Sequence, residues 1–236
     1  MYASLADPRE TVDALNARYG CLPAQDLIAA VARNVFAGRV AALSSFGADS
    51  AVLLHLISKA APDLPVLFLQ TGKHFTDTLV HRAELAERLG LTNVIDLKPA
   101  EADLREQDPM GRLHESDPEA CCHIRKVRPL ANALDGYEAS ISGRRRHQAE
   151  TRARLKVFER DGQRIKVNPL AGWSEDDVAA YIDRHGLPHH PLVAEGYPSI
   201  GCAPCTSPVA DGEDARAGRW RGLAKTECGI HTVAAR

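Results

Sequence analysis

Short apolar runs alternate with longer stretches of helical periodicity along most of this chain. The runs at 40–43, 65–69, 93–97, 138–142 and 164–167 read as strands. Between and around them the spacing predicts helices over 51–60, 75–89 (closed by Gly90), 118–134 and 174–185. Two further helices open the chain, over 8–19 and 23–37, each with a proline near its start and a glycine stop. Buried strands alternating with helices of ten to fifteen residues imply an α/β fold, with a parallel sheet covered on both faces. Residues 186–208 are rich in proline and glycine and read as a structured loop. Residues 209–236 lack an apolar run and read as a mobile tail behind a single domain over 1–208.

Composition narrows the picture. A 236-residue chain with 44% hydrophobic residues can bury one substantial core. A net charge of −2 provides no global field for nucleic acid, so an anion site must be local. The N-terminus offers no signal-peptide core and no apolar stretch is long enough to span a bilayer. The expected setting is cytoplasmic and reducing, without membrane or nucleic-acid partners. There, clustered cysteines point to metal or catalysis rather than structural disulfides.

Five of the six cysteines are clustered: Cys121-Cys122, Cys202-Ala-Pro-Cys205, and Cys228 within Glu-Cys-Gly-Ile-His. Two thiol pairs suit a metal or iron–sulfur centre, and adjacent cysteines fit poorly to the two Cys-x-x-Cys arms of structural zinc. A zinc knuckle and inert buried thiols are the alternatives. Cys21 has no companion motif and reads as an ordinary thiol.

Three strand ends carry candidate anion loops. Ser44-Ser45-Phe46-Gly47 precedes a helix, where small residues let backbone N–H groups approach an anion; a plain polar turn capped by Asp49 or Ser50 reads equally well. Thr71-Gly72 ends the second strand, on the side of a parallel sheet where ligands bind. Gly143-Arg144-Arg145-Arg146 follows the fourth, a dense local charge suited to phosphate or sulfate, or else a solvated basic loop.

The first loop resembles the Ser-Gly-Gly-x-Asp-Ser turn of the adenine nucleotide alpha hydrolase-like (PP-loop) superfamily, with Phe46 in place of a glycine. That departure is typical of members that no longer cleave ATP. With Cys-Cys-His-Ile-Arg-Lys at 121–126, Ser-Gly-Arg-Arg-Arg-His-Gln at 142–148, Gly-Cys-Ala-Pro-Cys at 201–205, Arg219-Trp220 and Glu-Cys-Gly-Ile-His at 227–231, the chain from about 40 to 231 resembles the assimilatory adenylyl-sulfate reductases of iron–sulfur type. Gln70, Lys73 and His74 depart from that pattern.

The resemblance implies a three-layer α/β sandwich and a [4Fe–4S] cluster on Cys121, Cys122, Cys202 and Cys205. It implies Cys228 as nucleophile toward adenosine 5′-phosphosulfate, with thioredoxin as the reductant and an S-sulfocysteine intermediate. Substrate contacts are expected from Ser44, Ser45, Phe46, Gly47, Thr71, Gly72, Lys126, Gly143, Arg144, Arg145, Arg216, Arg219 and His231. Reduction of the 3′-phosphorylated nucleotide is one alternative and a PP-loop tRNA-thiolating enzyme another, although the latter would want an intact Gly-Gly loop. A zinc-binding interaction module is disfavoured by the charge and the few aromatic residues. Homo-oligomerisation is left open.

Overall fold

A computed structural model describes residues 11–223 and 225–230. Six strands form one sheet in the order β3-β2-β1-β4-β6-β5, where β1 is Val40–Leu43, β2 Val66–Leu69, β3 Val94–Leu97, β4 Ala139–Ser142, β5 Phe158–Asp161 and β6 Arg164–Val167. All neighbours pair in parallel except β5 with β6, a short hairpin that closes one edge. The five expected strands are present. The sixth, β5, escapes pattern reading because Phe158-Glu-Arg-Asp161 carries one apolar residue and pairs only at an edge.

The helices are α1 (Val12–Tyr19), α2 (Ala24–Ala30, prolonged by a π-helical turn at Val31–Val35), α3 (Ser50–Ala60), α4 (Thr76–Leu89), α5 (Glu101–Gln107), α6 (Leu113–Ser116), α7 (Pro118–Cys122), α8 (Arg128–Ala133) and α9 (Glu175–His185). Strand alternation sorts the core. Val40, Ala42, Val66 and Phe68 enter a large cluster with Leu27, Ile28, Leu54 and Ile57, whereas Ala41 and Leu67 meet Leu130 and Leu134 on the opposite face. Helices therefore cover both faces of the sheet, the three-layer arrangement expected from the sequence. Short α5 and α6 were not anticipated: each is largely polar and exposed.

The helix expected over 118–134 is continuous but changes winding. Asp117 caps it by accepting the Ala120 N–H at 2.9 Å, Pro118 opens it, and a π-helical turn at His123–Val127 joins α7 to α8. That turn begins directly after the cysteine pair. No helix among the described residues is long and apolar enough to cross a membrane.

Candidate active site and cysteine centre

Because β1 lies between β2 and β4, their three C-terminal loops stand side by side at one end of the sheet, where open α/β folds bind ligands. In the first loop the Ser44 hydroxyl accepts the Phe46 N–H at 3.1 Å, and the Ser45 hydroxyl accepts that of Gly47 at 3.4 Å. Phe46 adopts φ +50°, a left-handed conformation that disfavours bulky residues. Its fully buried ring offsets that cost, packing edge-on against Phe68 at 5.5 Å beneath the Arg82 guanidinium. The side chain is thus an anchor for the loop, and Phe46 has only its backbone to offer a nucleotide.

Thr71 turns toward the cysteines. Its buried hydroxyl lies 3.3 Å from the Cys202 sulfur and accepts the Lys73 N–H at 3.2 Å. Its carbonyl accepts from Arg125 at 2.7 Å, and Arg125 is paired at 2.6 Å with Asp108 in an almost fully buried bridge. Gly72 has φ +71°, and a Cβ there would stand 3.5 Å from that guanidinium. Gly143 packs against Leu53, which an added Cβ would touch at 3.6 Å.

The basic loop is not bare charge. Arg144 pairs with Glu159 of β5 at 2.6 Å, Arg145 with Asp49 at 2.8 Å, and Arg146 donates to the Leu155 carbonyl at 2.8 Å. The buried Nε of Arg145 and that of Arg219 have no hydrogen-bond partner among the described residues. These are donors that an incoming oxyanion can take up.

Cys121, Cys122, Cys202 and Cys205 line one small pocket with Arg125 and Lys126 in its wall. The second pair is held there by backbone: His74 and Cys202 form an antiparallel bridge, and Ala203 N–H donates to the Lys73 carbonyl at 2.7 Å. His74, one of the departures noted above, lies 2.8 Å from the Leu69 carbonyl through Nε2 and stacks on Phe68 at 4.8 Å. Among the described residues no three His, Cys, Asp or Glu converge tightly enough to hold a single metal ion. Burial pushes the Cys121 thiol up to about 11, with Cys122 adding to the rise. Burial raises Cys122 and Cys205 as well. Thiols kept protonated by their surroundings become ligands when a metal supplies the compensating positive charge. An all-sulfur set spread around a pocket suits a multi-iron cluster, whose ligands bind separate irons, better than one compact ion.

The described part of the tail folds back over this centre. Thr206 bridges Arg219, Ser207 N–H donates to the Gly218 carbonyl at 2.9 Å, and Trp220, 3% exposed, donates its backbone N–H to the Cys205 carbonyl at 3.0 Å. Lys225 then lies over the Trp220 ring and pairs with Glu119. Cys228 is half-buried, within electrostatic range of Lys126, Arg219, Arg152 and Cys122. Burial works against the charge on Lys126, but Cys202, Cys122 and Cys228 outweigh it and hold its pKa above the usual lysine range. Arg219 stacks on Trp220 at 4.6 Å and donates to the Ile200 carbonyl at 3.3 Å. A Cβ on Gly201 would fall 2.3 Å from that guanidinium, so a larger residue there would have to displace the Arg219 side chain.

Of the cations expected to contact the substrate, the structure brings Lys126 and Arg219 close to Cys228. Arg216 approaches through the tail itself, donating to the Thr226 carbonyl at 2.7 Å and pairing with Glu227 at 3.4 Å. Arg144 and Arg145 are tied to their acids, and His231 lies outside the described residues. Two arginines were missed, Arg125 and Arg152. Their partners are Asp108 and Glu227, 17 and 75 positions away, and no motif signals pairs so far apart.

Residues 39–208 match the family model described as the phosphoadenosine phosphosulfate reductase domain. A relative from Mesorhizobium japonicum, named adenosine 5′-phosphosulfate reductase, is 55% identical over 217 residues, covering 92% of this chain and 85% of that protein. One from Gloeobacter violaceus, named phosphoadenosine 5′-phosphosulfate reductase, is 44% identical and covers 88% of each. Among solved structures, the phosphoadenylyl-sulfate reductase of Candida auris in its phosphate complex superposes with a TM-score of 0.69 at 29% identity, over 88% of this chain and 100% of that one. With three loops at one end of a parallel sheet, two convergent cysteine pairs and this match over most of its length, the chain belongs to the phosphoadenosine phosphosulfate reductase family.

Proposed function

We propose that this chain reduces adenosine 5′-phosphosulfate to sulfite and AMP, with Cys228 as nucleophile. The observation that carries the reading is the position of Cys228, half-buried among Lys126, Arg219 and Arg152 beside the four-cysteine pocket. The Cys228 sulfur attacks the sulfur of the sulfonyl group; the S–O bond to phosphate breaks and AMP leaves, producing S-sulfocysteine. A thiolate of a dithiol protein of the thioredoxin type then attacks the Cys228 sulfur and releases sulfite. Its second thiol resolves the mixed disulfide, so the partner's disulfide carries away the two electrons' worth of oxidation. The segment that carries Cys228 swings outward for this second step.

Lys126 and Arg219 offset the charge of the phosphosulfate, and the unpaired Nε of Arg145 and Arg219 are donors for its oxygens. Ser44, Ser45, Gly47 and Gly143 contribute the small-residue walls of the nucleotide site, joined by the Phe46 backbone. Cys121, Cys122, Cys202 and Cys205 hold a [4Fe–4S] cluster, which when bound supplies a fixed charge beside Lys126 and a cross-link between two segments. Both reducing electrons come from the dithiol partner.

Incubation with adenosine 5′-phosphosulfate and no reductant should leave one SO₃ group, about 80 Da, on Cys228, released by thioredoxin. An adduct mapped to Cys21, or one that persists in Cys228→Ser, would sink the assignment. Iron and sulfide analysis of anaerobic protein tests the cluster, and one zinc per chain in colourless protein would overturn it.

The Gloeobacter relative's name favours a second reading, preference for the 3′-phosphorylated nucleotide. Arg144 and Arg145 are already balanced by Glu159 and Asp49, which leaves little uncompensated charge for another phosphate. A kcat/KM advantage of about tenfold for the 3′-phosphorylated form, about 1.4 kcal/mol, would establish that reading instead.

A further inference from the structure

The residue before Cys228 is held by a clasp that the proposed chemistry does not by itself require. Glu227 receives Arg152 through three contacts: Nε to Oε1 at 3.0 Å, and Nη2 to Oε1 and Oε2 at 2.7 and 3.0 Å. Both side chains are largely buried, at 10% and 16% exposed. A fork-on-fork contact of this kind sets distance and orientation together, as a single lysine contact would not. The remaining arm of Arg152 donates to the Gln148 side-chain oxygen at 2.6 Å, and that same oxygen accepts the Arg145 backbone N–H at 3.1 Å. Arg145 in turn pairs with Asp49 at the start of α3, beside the first anion loop. One connected path therefore runs from the loop after β1, through the loop after β4, to the peptide that carries Cys228.

We infer that Arg152 is a positioning residue for the nucleophile: by clasping Glu227 it seats Cys228 in the crevice, and through Gln148 it ties that seating to the basic loop. The inference rests on the reading of Cys228 as nucleophile. Arg216, whose longer 3.4 Å contact shares Oε2 of Glu227 with Arg152, is the secondary hold. The clasp defines the docked state. For the dithiol partner to reach Cys228 it must open, and both groups then regain water, which compensates for part of the lost pairing.

Two measurements on anaerobically purified full-length protein with its metal in place test this. The first is the single-turnover rate at which the SO₃ adduct forms on Cys228 in the wild type, Arg152→Met, Glu227→Gln and the double variant, with AMP affinity measured in parallel. Each single change should slow the adduct by roughly tenfold to a hundredfold, the scale set by small misplacements of a reacting group. The double variant should be no slower than the worse single one, since both changes break the same pairing, and AMP affinity should stay within about twofold, since the clasp holds the nucleophile and not the nucleotide. The second is the rate of Cys228 alkylation by iodoacetamide, mapped by peptide mass, which should rise in Arg152→Met because the tail is released. Additive losses, an AMP affinity that falls with the rate, or unchanged alkylation would each overturn the inference. A wild type that forms no adduct on Cys228 would instead overturn the reading beneath it, so the two failures are distinguishable.

Discussion

The two cysteine pairs reach the same pocket by opposite means. Cys121-Cys122 rides on a helix started by the Asp117 cap and Pro118, so its placement is largely local. Cys202 and Cys205 sit on a single 3₁₀ turn inside a long loop, held by a two-residue bridge to Lys73–His74 on one side and by Trp220 on the other. Neither hold is near in sequence. A helix propagates order along its own hydrogen bonds, whereas a loop borrows order from whatever it touches. The pocket thus joins a self-ordered arm to a borrowed one, and the proposed cluster is the rivet between them.

The largest effect should follow loss of that rivet. Cys122→Ala and Cys202→Ala should each abolish the visible absorption of thiolate-bound iron and with it turnover. In the metal-free protein, hydrogen exchange should rise over 199–208 well before it rises over 118–133. Equal loss of protection in both segments would refute the contrast.

Next in size is the buried pair that ties the helix-borne arm to the C-terminal end of α5. Asp108→Asn leaves Arg125 without its counter-charge and should cost about 3–5 kcal/mol in urea unfolding. Burial opposes ionisation of Asp108, but the Arg125 guanidinium, the Leu113 N–H and nearby Lys73 overcome it and hold the carboxyl below its ordinary 3.8. The pair's stabilisation is therefore complete above about pH 3.8 and lost as pH falls through the lower folded value. Asp108→Asn should flatten that acid limb, which a urea series between pH 5 and about pH 3 reads directly.

The borrowed arm has a milder acid sensitivity of its own. His190, 1% exposed, anchors the loop that leads to Cys202: its Nδ1 accepts the Leu192 N–H at 3.2 Å and its Nε2 lies 3.0 Å from the Thr78 hydroxyl. Burial, and then neighbouring His81, push its pKa from 6.5 down to about 4. The unfolded chain thus takes up a proton in this range that the folded one refuses, so stability is full above 6.5 and declines as pH falls toward 4. His190's share of the decline between pH 7 and pH 5 should be about 2 kcal/mol, measured by urea unfolding, and His190→Gln should lessen the slope by that share, leaving what His55, His74 and His81 add, since burial lowers them too. A slope unchanged in the variant would place the titration elsewhere.

The smallest effect serves as the control. Ser174 caps α9 through the Asp177 N–H at 3.1 Å, remote from both arms in sequence and in contact with neither pair. Ser174→Ala should lower stability by about 1 kcal/mol in thermal or urea unfolding, leaving iron content and adduct formation unchanged.

Much of the scaffold was legible in the chain because the signals are local. The runs at Val40–Leu43 and Val66–Leu69 are buried on both faces and read as continuous apolar segments. Gly90 and Gly186 close their helices in the left-handed conformation. The polar elements were less legible. Phe158–Asp161 becomes a strand only because Arg164–Val167 lies beside it, and Glu101–Gln107 buries little more than one face of Asp103. At the site, the residue types were readable but their tasks were not. Thr71 and Phe46 stand in an anion-loop pattern, yet one reaches a cysteine sulfur and the other fills the core.

The sequence by itself determined the order of the five apolar strands and the helices between them, the two thiol pairs and the isolated Cys228, since each depends on residues close together in the chain. Tertiary structure alone decided which charges meet. Glu159 neutralises Arg144 from an edge strand, Asp49 takes Arg145, and Arg152 crosses 75 positions to clasp Glu227. A side chain's partner is set by where the backbone returns in space, and the strength of each pairing by how far water is excluded there. Neither quantity exists until the sheet is assembled and the segment carrying Cys228 has folded back over it.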